Sequence, residues 1–137
     1  MRDFKLKILT PTGEAFSGDV KSVALRTTDG EVGILAGHTD YLAGVDACVV
    51  RISDSAETLR YAFCGGGFFS VTAGEATLVA DEFVFADALD EQAVADELAE
   101  LTDRLSSISD PQTGQFLKNR LARAEAKRKA LAVEQEK

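Results

Sequence analysis

Apolar and polar residues alternate two by two through roughly the first 85 positions. Phe4, Leu6 and Ile8 are separated by Lys5 and Lys7, and Leu59, Tyr61 and Phe63 by Arg60 and Ala62. Period-two alternation suits a sheet with one face buried and the other wet. The pattern predicts ten short strands, near 3–9, 14–17, 20–27, 31–35, 41–45, 47–53, 58–64, 67–72, 75–80 and 82–86. Turn signals part them, among them Pro11-Thr12-Gly13, Gly18-Asp19, Asp29-Gly30, Gly37-His38 and Gly65-Gly66-Gly67. Strands this short and evenly spaced predict a sandwich or barrel, and about 85 residues can close a core as a sandwich.

Between Phe85 and Asp90 the period changes. Val94, Leu98, Leu101, Leu105 and Ile108 recur at steps of four and three, the stripe of an amphipathic helix. Asp90 is placed to cap it, and Glu91 in the first turn suits the helix dipole. Ser109-Asp110-Pro111 then breaks the helix and starts another over 112–133, with Asp110 as cap and Pro111 in the tolerated first turn. The stripe of this second helix is thin: Leu117, Leu121, Ala124 and Leu131, with Arg128 where a large apolar residue would stand. Alanines at 122, 124, 126 and 130 permit close approach but bury little area. The expected architecture is therefore a β-sandwich docking domain, 1–87, followed by an antiparallel helical hairpin, 88–137. A lone hairpin of this size is marginal in water and must lean on something. A helix so thinly striped is expected to be held weakly and to move easily.

Charge sharpens this division. Up to Asp110 there are 20 acidic and 8 basic residues; from Pro111 onward there are 3 and 7. The net charge of −8 argues against non-specific nucleic-acid binding, which depends on Lys and Arg neutralising phosphates. No apolar run approaches the ~20 residues of a membrane span. Met-Arg-Asp-Phe lacks the apolar core of a signal peptide, so a cytoplasmic protein is expected, reaching membranes only through a partner. Cys48 and Cys64 fall in strand-like runs with no metal-ligand spacing and read as buried small apolar residues.

The residues that could carry chemistry do not assemble into a reactive set. His38, the single histidine, has no nucleophile tied to it. Gly65-Gly66-Gly67 is followed by Phe68-Phe69-Ser70, not the Lys-Ser/Thr of a phosphate cradle, and reads as a tight link between strands. Asp81, Glu82, Asp87 and Asp90 cluster at the sheet–helix junction and read as solvated charge. Arg123, Lys127, Arg128 and Lys129 form either a wet helical face or a surface that docks on an acidic partner. No enzyme active site, cofactor or metal centre emerges.

Four stretches carry a family resemblance. Thr28-Asp29-Gly30-Glu31-Val32-Gly33-Ile34-Leu35-Ala36-Gly37-His38 resembles the signature of the epsilon subunit of bacterial F-type ATP synthase, in which an acidic Gly-Glu-x-Gly turn precedes Gly-His. Ile8 to Gly13 with Phe16-Ser17-Gly18, Gly65-Gly66-Gly67-Phe68 and Val79-Ala80-Asp81 are similar to further family segments in the same order. The resemblance implies a non-catalytic rotor subunit at the foot of the central stalk. Its sandwich would bind gamma and the polar loops of the membrane c-ring, so that proton- or sodium-driven rotation reaches the catalytic head. It would lie peripherally on the cytoplasmic face of the bacterial inner membrane. The family's ring contact falls on Glu31 and His38. Its regulatory arm is the hairpin, whose second helix meets acidic segments of the alpha and beta subunits and blocks ATP hydrolysis. That role falls on Arg123, Lys127 and Arg128.

The chain departs from the family pattern in three places. Ala36 replaces a proline before Gly-His, and Thr39-Asp40 replaces Ala-Pro after it, leaving the loop less rigid and more acidic. The family's nucleotide motif, Ile/Leu-Asp-x-x-Arg-Ala, is matched by Leu89 and Asp90, but Ala93 stands at the arginine position. Without that guanidinium, ATP binding is expected to be weak or absent. The rival reading is a stand-alone β-sandwich binding module with a helical interaction arm. An exposed aromatic groove would favour it, but the chain has no tryptophan and only two tyrosines.

Overall fold

Alternation at the amino end builds β1 (Phe4–Thr10), in which Phe4, Leu6 and Ile8 turn inward while Lys5 and Lys7 stay exposed. A computed structural model describes residues 2–137. The strands that follow are β2 (Gly13–Thr27), β3 (Gly30–Leu35), β4 (Tyr41–Val45), β5 (Cys48–Asp54), β6 (Leu59–Cys64), β7 (Gly67–Thr72), β8 (Glu75–Ala80) and β9 (Phe83–Phe85). There are nine described strands, one fewer than expected. The segments expected at 14–17 and 20–27 form one 15-residue strand. Gly18-Asp19 does not break it, because Gly18 pairs with Leu6 and Asp19 with Lys5 in a continuous ladder. The chain bends instead, through register shifts at Ile8/Leu9 and at Val20/Ser22.

That bend makes the sandwich. The first half of β2 pairs with β1, which continues through β8 and β7 to β4. Its second half pairs with β3 on one side and β5 on the other, and β5 leads to β6 and β9. All pairings are antiparallel except β1 with β8. Between the layers lie the fully buried Leu6, Ile8, Val20, Val50, Ile52, Phe69 and Leu78. Cys48 and Cys64, opposite each other across β5 and β6, join this core. Every residue of the core comes from the segment up to Phe85.

A short 3-10 turn, Ala86–Ala88, leads into α1 (Glu91–Ser107) and α2 (Pro111–Glu136). Both caps form as the sequence predicts. Asp90 accepts hydrogen bonds from the N–H groups of Gln92 and Ala93, and Asp110 from that of Thr113. The helices meet along Leu101, Leu117 and Ala124, flanked by Leu98, Leu105 and Leu121. The other side of α2 rests on the outer face of β5 and β6. There Ala130 packs with Phe63 and Ala86, and Ala126, Val49, Tyr61 and Leu89 border the contact. Alanine at 126 and 130 lets the helix backbone come close enough to cover Phe63 completely.

Candidate interaction surfaces

Three surfaces stand out. The first follows β3. Thr27, the buried polar residue of the sandwich, donates its hydroxyl to the Gly30 carbonyl at 2.7 Å and accepts from the Asp29 N–H at 3.1 Å. These bonds tie off the turn into β3, and Gly30, at φ +117°, supplies a conformation other residues resist. Exposed Glu31 follows immediately, opposite Arg26. His38 lies beyond the other end of the strand, its Nδ1 2.7 Å from the Thr39 carbonyl and its ring edge-on to Tyr41 at 5.8 Å. The structure does not bring Glu31 and His38 together. Glu31 and Leu35 alone are four strand steps apart, roughly 13 Å.

The second surface is the docked hairpin. Arg123 bridges two carboxylates, with Nη1 3.2 Å from Asp81 and Nη2 2.6 Å from Glu82. Lys127 lies 3.8 Å from Glu82 and 5.3 Å from the centre of the Phe63 ring. Asp81 and Glu82, expected to be solvated charge only, are thus partly solvated members of ion pairs with α2. Spacing of four along α2 puts Arg123 and Lys127 on one face, opposite the loop after β8. Arg128 points elsewhere and lines a cleft of about 640 Å³ with Glu31, Arg26 and Asp46. The three expected inhibitory cations are thus split: two are paired to the sandwich, and one faces the cleft beside an expected ring-contact residue.

Nucleotide residues do not converge. Asp90 spends its carboxylate on the helix cap, and Leu89 packs against the sandwich. Exposed Ala93 stands one turn before Glu97. Glu97 and Glu82 share a cavity of about 430 Å³ with Phe116, Arg120, Arg123 and Lys127. Two of its three cations, Arg123 and Lys127, are already paired with Glu82.

The third surface was missed by the sequence reading. On the outer face of the β4–β7–β8 layer, Leu42 is 74% exposed, Phe68 64% and Val79 48%. Phe68 and Val79 are direct cross-strand partners, and Gly44 lies opposite Phe68 on the other side. The consecutive Phe68-Phe69 was the available signal. In a strand one of them must face outward, and Phe69 takes the core.

Comparison with known proteins agrees with this architecture. A sequence model of the ATP synthase Delta/Epsilon chain β-sandwich domain matches residues 3–86. The ATP synthase epsilon chain of Wolinella succinogenes is 34% identical over 110 residues, covering 80% of this chain and 84% of that one. Those of Rhodococcus jostii, at 33% identity and 90% coverage of the relative, and Bacillus velezensis, at 30% and 83%, align with the same share of this chain. Among solved structures, a chain of the Euglena gracilis mitochondrial ATP synthase (OSCP/F1/c-ring) superposes with a TM-score of 0.84 at 21% identity. The match covers 94% of this chain and 81% of that one. A chain of the Tetrahymena thermophila mitochondrial ATP synthase central stalk and c-ring gives 0.62 at 15% identity, covering 95% and 97%. At these identities the structural matches speak for the fold.

Proposed function

The chain belongs to the ATP synthase delta/epsilon family as an epsilon chain, and on that premise we propose how its surfaces are used in a non-catalytic rotor subunit. The sandwich, 1–87, is the docking body. Its bare apolar face, Leu42, Phe68 and Val79, receives gamma, while the two ends of β3, at Glu31 and His38, reach polar loops of the c-ring. Rotation of the ring is thereby passed to the catalytic head. The hairpin, 88–137, is a regulatory arm. Folded on β5 and β6 it leaves hydrolysis running; released, its basic helix engages acidic segments of alpha and beta.

One observation carries this reading. The two outer faces of the sandwich are treated differently: one is sealed by the chain's own helices over Phe63, and the other leaves large side chains in water. Exposed contiguous apolar surface marks an interaction site. No described helix is long and apolar enough to cross a membrane.

The test is binding of gamma to a Phe68→Glu variant. Phe68 is exposed, so the fold should survive, and a charge at the centre of an apolar contact should weaken gamma binding at least about tenfold. Unchanged affinity would place gamma on another face. The purified subunit should hydrolyse no ATP by itself.

A further inference from the structure

We propose that Asp81 and Glu82 form a latch that holds the hairpin down by occupying Arg123 and Lys127, the same cations the extended arm needs. The use of those cations by the arm rests on the function proposed above; the latch itself rests on the docked geometry.

Both carboxylates stand on a fixed base. The Asp81 N–H donates to the Gly66 carbonyl at 3.0 Å, and the Glu82 carbonyl accepts from the Gly65 N–H at 2.8 Å. Backbone bonds thus clamp Asp81-Glu82 to the glycine turn, and the two acids face α2 side by side. Arg123 takes one oxygen from each, and Lys127 reaches the second oxygen of Glu82. Two carboxylates so presented give these cations the kind of partner that, on the function proposed above, alpha and beta would offer.

Gly65 points to the same device. A Cβ there would stand 2.5 Å from the Asp81 carboxylate and 2.9 Å from the Arg123 guanidinium. Its φ lies outside the left-handed region, unlike those of Gly66 and Gly67. Backbone conformation therefore does not demand glycine at 65. A side chain there would instead push the Asp81 carboxylate and the Arg123 guanidinium, both free side-chain ends, out of their present pairing.

The strength suits a reversible catch. Exposures of 35% for Arg123, 53% for Asp81 and 37% for Glu82 leave the pairs open to water and salt. Such pairs are individually modest, so docking and release stay within reach of each other.

Two variants of the full-length chain test the latch. Asp81→Asn with Glu82→Gln removes the charges at constant shape, and Gly65→Ala leaves every charge in place but crowds the pair. Docking is read from the distance between spin labels at Ser55→Cys and Lys118→Cys. Both variants should raise the undocked population at least about threefold, and added salt should bring wild type toward the variants. In the assembled enzyme the same variants should inhibit ATP hydrolysis more strongly than wild type. Label distances unchanged from wild type in both variants overturn the latch. Undocking without any change in hydrolysis leaves the latch standing and refutes the inhibitory role of the basic arm.

Discussion

Truncation after Asp87 removes both helices and uncovers the outer face of β5 and β6. The inner core should be untouched, since all its residues lie at or before Phe85. The main loss is at Phe63, fully buried under Ala130 and its neighbours in the intact chain. Re-exposing a buried side chain of that class costs about 1.5–3 kcal/mol. Val49 and Tyr61, only partly buried beside it, add less each, and the partly exposed ion pairs of α2 add little in water. A loss of about 2–3 kcal/mol should leave a domain of ordinary stability folded, as such domains start from about 5–15 kcal/mol. For a sandwich of this size it should lower Tm by on the order of 10–20 °C. The assay is thermal and urea unfolding of the truncated and full-length chains in one buffer, followed by circular dichroism. A truncated chain without a cooperative transition would show that the hairpin belongs to the folding unit. One as stable as the full chain would show that the helices do not shelter Phe63 in solution. The first result refutes the division at 87, and the second refutes the docking of α2 over Phe63. The truncated domain should still bind gamma, and enzyme assembled with it should hydrolyse ATP faster.

Calorimetry should detect no micromolar ATP affinity, because Ala93 offers no guanidinium and Asp90 is spent on the helix cap; measurable affinity gained in Ala93→Arg would show that the rest of a nucleotide site is present. Neither cysteine should react with an aromatic disulfide reagent at neutral pH until urea unfolds the chain. Both are buried. The hydrogen bond with Cys48 and then burial drive the Cys64 thiol far above its usual range. The same hydrogen bond lowers Cys48, which is protected by burial alone, and fast native labelling of either would contradict that. Asp110 is held below the usual carboxylate range by the Thr113 hydroxyl first and then by the Thr113 N–H. Because its folded value is depressed, the cap stabilises α2 fully above the ordinary carboxylate pKa and fails as pH falls through the lowered value. Thr113→Val should raise the Asp110 midpoint in an NMR titration, and an unmoved midpoint would remove the hydroxyl as the cause.

The sequence by itself determined what depends on near neighbours. Period-two alternation set which side chains of β1 and β5 face inward, and Asp90 and Asp110 set where the helices start, because a cap is a contact within three residues. The sequence also carried the family resemblance, through short stretches around Glu31, Gly65 and Asp81. It did not determine the course of β2, because Gly18-Asp19 is a turn signal only when no partner strand claims it. Pairing with Leu6 and Lys5 did so. Nor did it assign Asp81 and Glu82, which lie 42 and 41 positions from Arg123 and look like solvated charge until α2 folds back over them. The bare Leu42–Phe68–Val79 face likewise comes from three separate strands. Tertiary structure decided these features because each is a contact between segments far apart in the chain, and no local pattern says which distant surface a residue will meet.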